Sequence, residues 1–248
     1  MLILLPPSET KTPRTRGGSL DLTRLSFAEL SATRDAVLDA LVEVSGRPDA
    51  LAQLGVSPGI APEVERNRSL RTAPAQVVGD LYTGVLYDAL DLPTLEPAAL
   101  RRARRWFVVQ SALFGALRLG DKVPAYRLSM GTNLPGVGPL AASWRAVLDE
   151  PMTAAAGTGV VVDCRSSTYA AAWSPAGAVA QRWVRISVPG ATHMAKHTRG
   201  LVARHLAQTG ATPRTAAALR DVLATDFKAE LREPSRPGTP WDLAVTAR

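Results

Sequence analysis

The chain has a single cysteine, Cys164, in 248 residues. No internal disulfide can form, and the sparse sulfur agrees with a reducing, cytoplasmic setting. Histidine occurs only as His193, His197 and His205. Spacings of four and eight would let one helix present all three, as zinc-binding helices do, but no Asp or Glu lies near to complete a ligand set. A plain surface helix is the better reading, with Pro189-Gly190 placing His193 just before it, and neither a metal nor another cofactor is expected. No apolar run approaches the ~20 residues that a membrane helix requires. The Met1–Leu5 run is too short for a signal-peptide core and has no basic residues ahead of it. A G-x-S-x-G elbow, a Walker A loop and a G-x-G-x-x-G fingerprint after a strand are all missing.

Lysine is scarce as well. Only four of the 29 basic residues are Lys (Lys11, Lys122, Lys196, Lys228), the others all being Arg. A net charge of +7 and a pI near 10.2 would favour a polyanion or a phosphorylated ligand. An Arg- and Ala-rich composition can equally follow from the base composition of a genome, so charge permits nucleic-acid binding without requiring it. The basic residues are spread out except for Arg101-Arg102-Ala103-Arg104-Arg105, which reads as the solvated face of a helix. Hydrophobic content, in contrast, is an ordinary 46%, enough for a full core.

The stretch from Trp106 to Gly138 organises what is present. Phe107-Val108-Val109 is long enough for one buried strand, and the chain then runs through Gly115 and Gly120 into a polar segment with Asp121, Lys122, Tyr126, Arg127 and Ser129. A buried strand emptying into such a loop is a common way to build a site in an α/β protein. Leu2–Leu5 reads as another buried strand, ended by Pro6-Pro7 and followed by Ser8, Glu9, Thr10 and Lys11. Gly159–Asp163 is a further one, emptying into Cys164, Arg165, Ser166, Ser167, Thr168 and Tyr169. Trp183–Val188 alternates as a half-buried strand does.

Helical periodicity fills the intervals. One helix is expected from a Ser26 cap to Gly46, and a short one over Pro48–Leu54. Ala61–Arg71 is polar and reads as an exposed helix or loop. A single helix is expected from Pro74 through Val78, Leu81, Tyr82, Val85 and Leu86, although Gly79 and Gly84 would each cost it ~1 kcal/mol relative to Ala. Further helices fall at Ala98–Arg105, Leu140–Leu148, Ala195–Leu206 and Pro213–Leu223, the last capped by Thr212. Beyond Glu233 the chain reads as a Pro-rich tail that ends in a strand-like Trp241–Val245. Interleaved strands and helices without a repeat predict one α/β domain over residues 1–248.

Three local patterns carry candidate chemistry. Leu134–Ala142, LPGVGPLAA, resembles the hairpin and second helix of a helix-hairpin-helix, whose Gly-x-Gly turn (Gly136, Gly138) offers backbone N–H groups to a DNA phosphate. No first helix is expected before it, and a plain loop into a helix is the simpler account. Lys196 and Arg199, three apart beside Gly200, could clamp a phosphate or carboxylate, or be solvated charges. Cys164, at a strand end, could be a nucleophile but fits better as a small buried residue.

Five segments in fixed order resemble the YaaA family of peroxide-stress proteins: MLILLPPSETK, GDLYTGV, SALFGALRLGDKVPAYRLSMG, VVVDCRSSTYAAAW, and KHTRG before an apolar helix. The resemblance runs nearly end to end. It implies a single compact α/β domain of the YaaA-type fold, a mixed sheet flanked by helices with a helix-hairpin-helix-like element. It also implies a cytoplasmic protein that limits iron and peroxide damage and binds DNA through a basic cleft. No defined reaction comes with the family, so the enzyme question stays open. The shared motifs would build the cleft from Ser8, Glu9, Lys11, Tyr82, Thr83, Tyr126, Arg127, Asp163, Arg165, Ser167, Lys196 and Arg199. Two partners suit such a set, DNA or a small anionic ligand, with no membrane, and the expected form is a monomer. Carboxylates repel DNA, whereas acid–base chemistry uses them. Glu9, Lys11, Tyr126, Asp163 and Lys196 are therefore the candidate catalytic groups if the chain is an enzyme.

Overall fold

The computed structural model describes residues 1–190 and 192–247, apart from the side chains of Thr192, His193 and Ala247. Seven strands form the main sheet: β1 (Leu2–Leu5), β2 (Phe107–Ser111), β3 (Gly115–Arg118), β4 (Val161–Asp163), β5 (Trp183–Ser187), β6 (Phe227–Arg232) and β7 (Trp241–Ala247). Their spatial order is β6-β7-β5-β4-β1-β2-β3. The five inner strands are parallel, and the antiparallel β3 and β6 close the two edges. Parallel strands covered on both faces read as unbroken apolar runs, and every residue of β1 is at most 1% exposed. The sheet is therefore mixed and α/β, as the interleaving implied.

β1 sits where the winding reverses. The chain leaves it to form β2 on one side, and later returns to form β4 on the other. Leu5 pairs with Val109 and Leu4 with Asp163, so the three carboxyl ends lie level. In open α/β sheets the crevice at such a reversal is where ligands bind.

Among the helices around this sheet are α1 (Ser31–Ser45), α2 (Val85–Leu90), α3 (Pro97–Trp106), α4 (Leu140–Ala156), α5 (Thr192–Thr209) and α6 (Ala216–Leu223). α5 lies tightly on α2. A Cβ on Gly200 would collide with the Leu86 carbonyl oxygen and the Ala89 side chain, so this glycine is required by packing rather than by a ligand. α5 starts at Thr192, which puts His193 inside the helix backbone rather than before it, while its side chain lies outside the described residues.

Several expected boundaries move, each for a local reason. The helix expected from Pro74 is interrupted. A short ribbon strand, Gln76–Val77, leads into one turn over Val78–Leu81, Tyr82 is extended, and Gly84 has φ +90° before α2 begins. Tyr82 bridges Lys11, and the Thr12 N–H donates to the Leu81 carbonyl at 3.1 Å, so tertiary pairing claims the backbone that a helix would have used. Ser26 does not cap α1. Its N–H and hydroxyl both donate to Asp121 Oδ1, at 3.0 and 2.8 Å. Asp121 also accepts from the Arg118 N–H and is a staple of the β2–β3 region. α6 is capped by Thr215, whose hydroxyl accepts from the Ala218 N–H, instead of by Thr212. Arg102, expected on a solvated face, donates to the Ala207 and Gln208 carbonyls at the end of α5. Those carbonyls lack helix partners, so the arginine ties two helices together.

The segment LPGVG forms the turn of a two-residue hairpin, Asn133–Leu134 against Gly138–Pro139, with Gly136 and Gly138 at φ +83° and +90°. α4 follows directly. Residues 124–132 ahead of the hairpin are coil and turn.

Candidate functional site

Beyond the carboxyl ends of β1 and β4 lies a cavity of about 570 Å³. The turn after β1 supplies Pro6 to Lys11, and the interrupted helix supplies Thr83 and Gly84. Arg127 and Ser129 come from the segment after the β2–β3 hairpin, Cys164, Ser166 and Tyr169 from the loop after β4, and Lys196 and Arg199 from α5. With Leu54–Val56 on the wall as well, six segments far apart in sequence meet at one sheet reversal.

The loop Ser8–Lys11 is held by Leu81–Thr83. Ser8 Oγ accepts from the Thr83 N–H at 3.1 Å and donates to the Thr10 carbonyl, while the Thr83 hydroxyl donates to Thr10 Oγ1 at 3.2 Å. Gly84 turns the chain directly after Thr83 at φ +90°, a backbone conformation that favours glycine. The paired motifs SETK and LYTG are therefore one structural unit.

Lys11 is the unusual group. Its Nζ donates to the Ser8 carbonyl at 2.8 Å and the Glu9 carbonyl at 3.3 Å. It stands 4.4 Å from the centre of the Tyr126 ring and 5.6 Å from that of Tyr82. Burial, then the charge of Arg127, lowers its pKa to about 7, against the smaller raising effects of Glu63 and Glu9. Beneath it the two phenols and Ser111 form a chain, Tyr82 to Tyr126 at 3.0 Å and Tyr126 to Ser111 at 2.7 Å. Burial holds both tyrosine pKa values above the usual phenol value, so both stay protonated.

Arg127 is placed by a residue that sequence reading did not single out. The buried Asn67 side chain accepts from the Arg127 N–H and donates to its carbonyl, both at 2.9 Å. A lone Asn in a charged segment gives no sign of this, because its partner is 60 positions away. The guanidinium faces Glu9 at 3.7 Å and Glu63 at 3.5 Å. Across the cavity, Arg199 donates through Nε to the Ile186 carbonyl, and the Lys196 side chain is exposed. Burial raises the Cys164 thiol to about 12, which leaves almost no thiolate at neutral pH. The cysteine is a wall of the cavity rather than its nucleophile.

The structure also separates residues that the motifs suggested together. Ser8, Glu9, Lys11, Thr83, Arg127, Lys196 and Arg199 line the cavity. Tyr82 and Tyr126 are buried beneath Lys11. Asp163 and Arg165 turn into the protein and pair with each other, Arg165 Nη2 to Asp163 Oδ2 at 2.6 Å. Trp183 and the Arg165 N–H donate to the same carboxylate, and Arg165 also donates to Gln110 and the Trp173 carbonyl. Ser167 is exposed outside the cavity and Ser166 takes its place. Gly136 and Gly138 lie in the hairpin and do not line it. His205, expected on a surface helix, is buried against Phe227 and pairs with Asp226 at 2.8 Å. Among the described residues no group of His, Cys, Asp and Glu is placed to hold a metal ion.

A reversing parallel sheet with a mixed-charge cavity at its carboxyl edge places the chain among the α/β proteins. The family described as peroxide stress protein YaaA matches residues 1–232, and the chain belongs to that family. A UPF0246 protein of Streptomyces coelicolor is 46% identical over 99% of this chain and 98% of its own length. A UPF0246 protein of Corynebacterium efficiens is 42% identical over 90% and 91% respectively. Among the described residues no helix is long and apolar enough to cross a membrane.

Proposed function

We propose that the cavity binds a small phosphorylated or carboxylated molecule, and that the chain takes part in the peroxide stress response through that ligand. The observation carrying this reading is the convergence of Lys11, Arg127, Lys196 and Arg199, from three separate segments, on one concave space that also holds Glu9. Cations in a recess recognise a compact anion. A carboxylate beside them would repel a polyphosphate backbone but suits a ligand that is handled by acid and base. The protein would act as a monomer in the cytoplasm, with no membrane partner.

Calorimetric titration with inorganic phosphate, glycerol 3-phosphate and lactate tests the reading. At least one should bind, and Arg127→Ala and Lys196→Ala should each weaken it about tenfold or more, in line with the loss of a charge-assisted hydrogen bond. Unchanged affinity in both variants would overturn the assignment.

DNA binding that limits iron and peroxide damage is the second reading. Its support is the net charge of +7 and the exposed loop of residues 12–19, which carries Arg14 and Arg16 directly after Lys11. Duplex affinity should then fall with salt, and Arg14→Ala with Arg16→Ala should flatten the log–log slope by about 0.9 per lost contact. A slope untouched by the pair sinks this reading.

A further inference from the structure

Lys11 differs from the other cations of the cavity in what surrounds it. Glu9 and Glu63 are turned to Arg127, and among the described residues no carboxylate stands within ion-pair distance of the Lys11 amine. Its recorded polar partners are two backbone carbonyls, Ser8 and Glu9. A neutral amine that donates two N–H bonds keeps its lone pair for something else. Aromatic rings cover one side of the group, and the cavity lies open on another. With its pKa lowered to about 7, roughly half of the amine is unprotonated at neutral pH, on the order of 10³-fold more than for an ordinary lysine. Desolvation beside another cation is how an enzyme amine is made nucleophilic.

We propose that Lys11 condenses with the aldehyde or ketone carbon of a small carbonyl compound that also bears a phosphate or carboxylate, forming an imine in the cavity. The proposal rests on the anion-pocket reading and names its substrate class. The Nζ lone pair attacks the carbonyl carbon as the C=O π pair moves to oxygen. A proton passes from nitrogen to that oxygen, giving a carbinolamine. The hydroxyl then takes the remaining proton of the nitrogen and leaves as water while the nitrogen lone pair forms C=N. No oxidant or reductant is consumed. Arg127, Lys196 and Arg199 are available for the ligand's anionic group, and the protonated Tyr82–Tyr126 pair keeps solvent from the amine's inner side.

The experiment is reductive trapping. The full chain is incubated near pH 7 with sodium cyanoborohydride and either glyceraldehyde 3-phosphate or pyruvate, followed by intact mass and peptide mapping. Binding of glycerol 3-phosphate and lactate, which have the same charge and no carbonyl, is measured alongside. The expected result is one adduct per chain on Lys11, formed on the order of 10²-fold faster than on Lys122, Lys196 or Lys228. Whichever compound traps faster shows whether phosphate or carboxylate is the recognised group. Lys11→Arg should abolish the adduct at that position. In Arg127→Ala the trapping midpoint should move to higher pH, because a depressing charge is gone, and this readout does not depend on the first variant folding. Adducts spread evenly over the lysines, or concentrated on the Met1 amine, overturn the proposal while binding of the analogues leaves the pocket standing. Absence of binding by all four compounds overturns both.

Discussion

Two polar clusters lie at the carboxyl edge of the sheet, and they have opposite characters. Asp163 and Arg165 are both buried and bonded to each other, with Gln110, Trp173 and Trp183 taking the remaining positions. Arg127 and Lys11 face a cavity; the carboxylates beside Arg127 stand at 3.5 and 3.7 Å, and Lys11 has two backbone carbonyls but no carboxylate as hydrogen-bond partners. The same residue types thus serve structure where their valences are filled and binding where they are not. What decides between the two is whether neighbouring backbone completes the hydrogen bonding, since a charge removed from water must be paired.

Substitutions can break that contrast. The largest effect is expected for Asp163→Ala, which leaves Arg165 buried and unpaired. Unfolding by denaturant should show a loss of about 3–5 kcal/mol, against less than about 1 kcal/mol for Arg127→Ala, whose guanidinium is partly exposed. Similar losses in both would erase the distinction.

Tyr126→Phe comes next. It removes the hydroxyl that links Ser111 to Tyr82 and leaves two buried groups short of a partner, a cost of about 1–3 kcal/mol. Gly84→Ala should cost about 1–2 kcal/mol through its positive φ, and should also loosen the Ser8–Lys11 loop and so weaken anion binding. A variant as stable as the parent, with the same affinity, would show that the loop does not depend on that turn.

The two clusters should also titrate with opposite histories. Burial alone would raise the Asp163 carboxyl, but the charge and hydrogen bonds of Arg165 outweigh it and hold its pKa below the usual carboxylate value. Its contribution is present above the unfolded value and is lost as pH falls through the lower folded one, so Asp163 favours acid unfolding only at strongly acidic pH. Lys11 is also lowered, to about 7, but the sense for a cation is reversed. Between about 7 and its ordinary value the unfolded chain binds the extra proton, so stability should rise with pH across that window. Lys11→Met should flatten this rise in pH-dependent denaturant titrations, while the acid limb stays as it was. The smallest effect is expected for exposed charges such as Arg14→Ala, within about 0.5 kcal/mol of the parent.

Much of this could be read from residue order. Leu2–Leu5, Phe107–Val109 and Val160–Val162 are apolar without interruption, because a strand buried on both faces has no solvent side to mark. β6 carries the other pattern: Phe227–Arg232 alternates, with Lys228, Glu230 and Arg232 on its open face, as a half-buried edge strand does. The cavity residues Ser8, Glu9, Lys11, Arg127, Lys196 and Arg199 were visible as polar groups at strand ends or on a helix. Asp163 and Arg165 look the same in sequence, and nothing local shows that their side chains turn inward. Asn67 gave no signal at all.

The sequence by itself therefore determined the buried strands, most of the helices and the set of polar motifs, which follow from periodicity and local residue type, while the resemblance of five ordered motifs pointed to the family. Tertiary structure alone decided which polar motifs face the cavity, that a helix breaks at Tyr82–Gly84, and that one lysine is half-buried against two aromatic rings. Those outcomes depend on contacts between segments tens of residues apart, such as Lys11 with Tyr126 and Arg127 with Asn67. The free energy of a charge depends on what fills the few ångströms around it, and no stretch of chain carries that information alone.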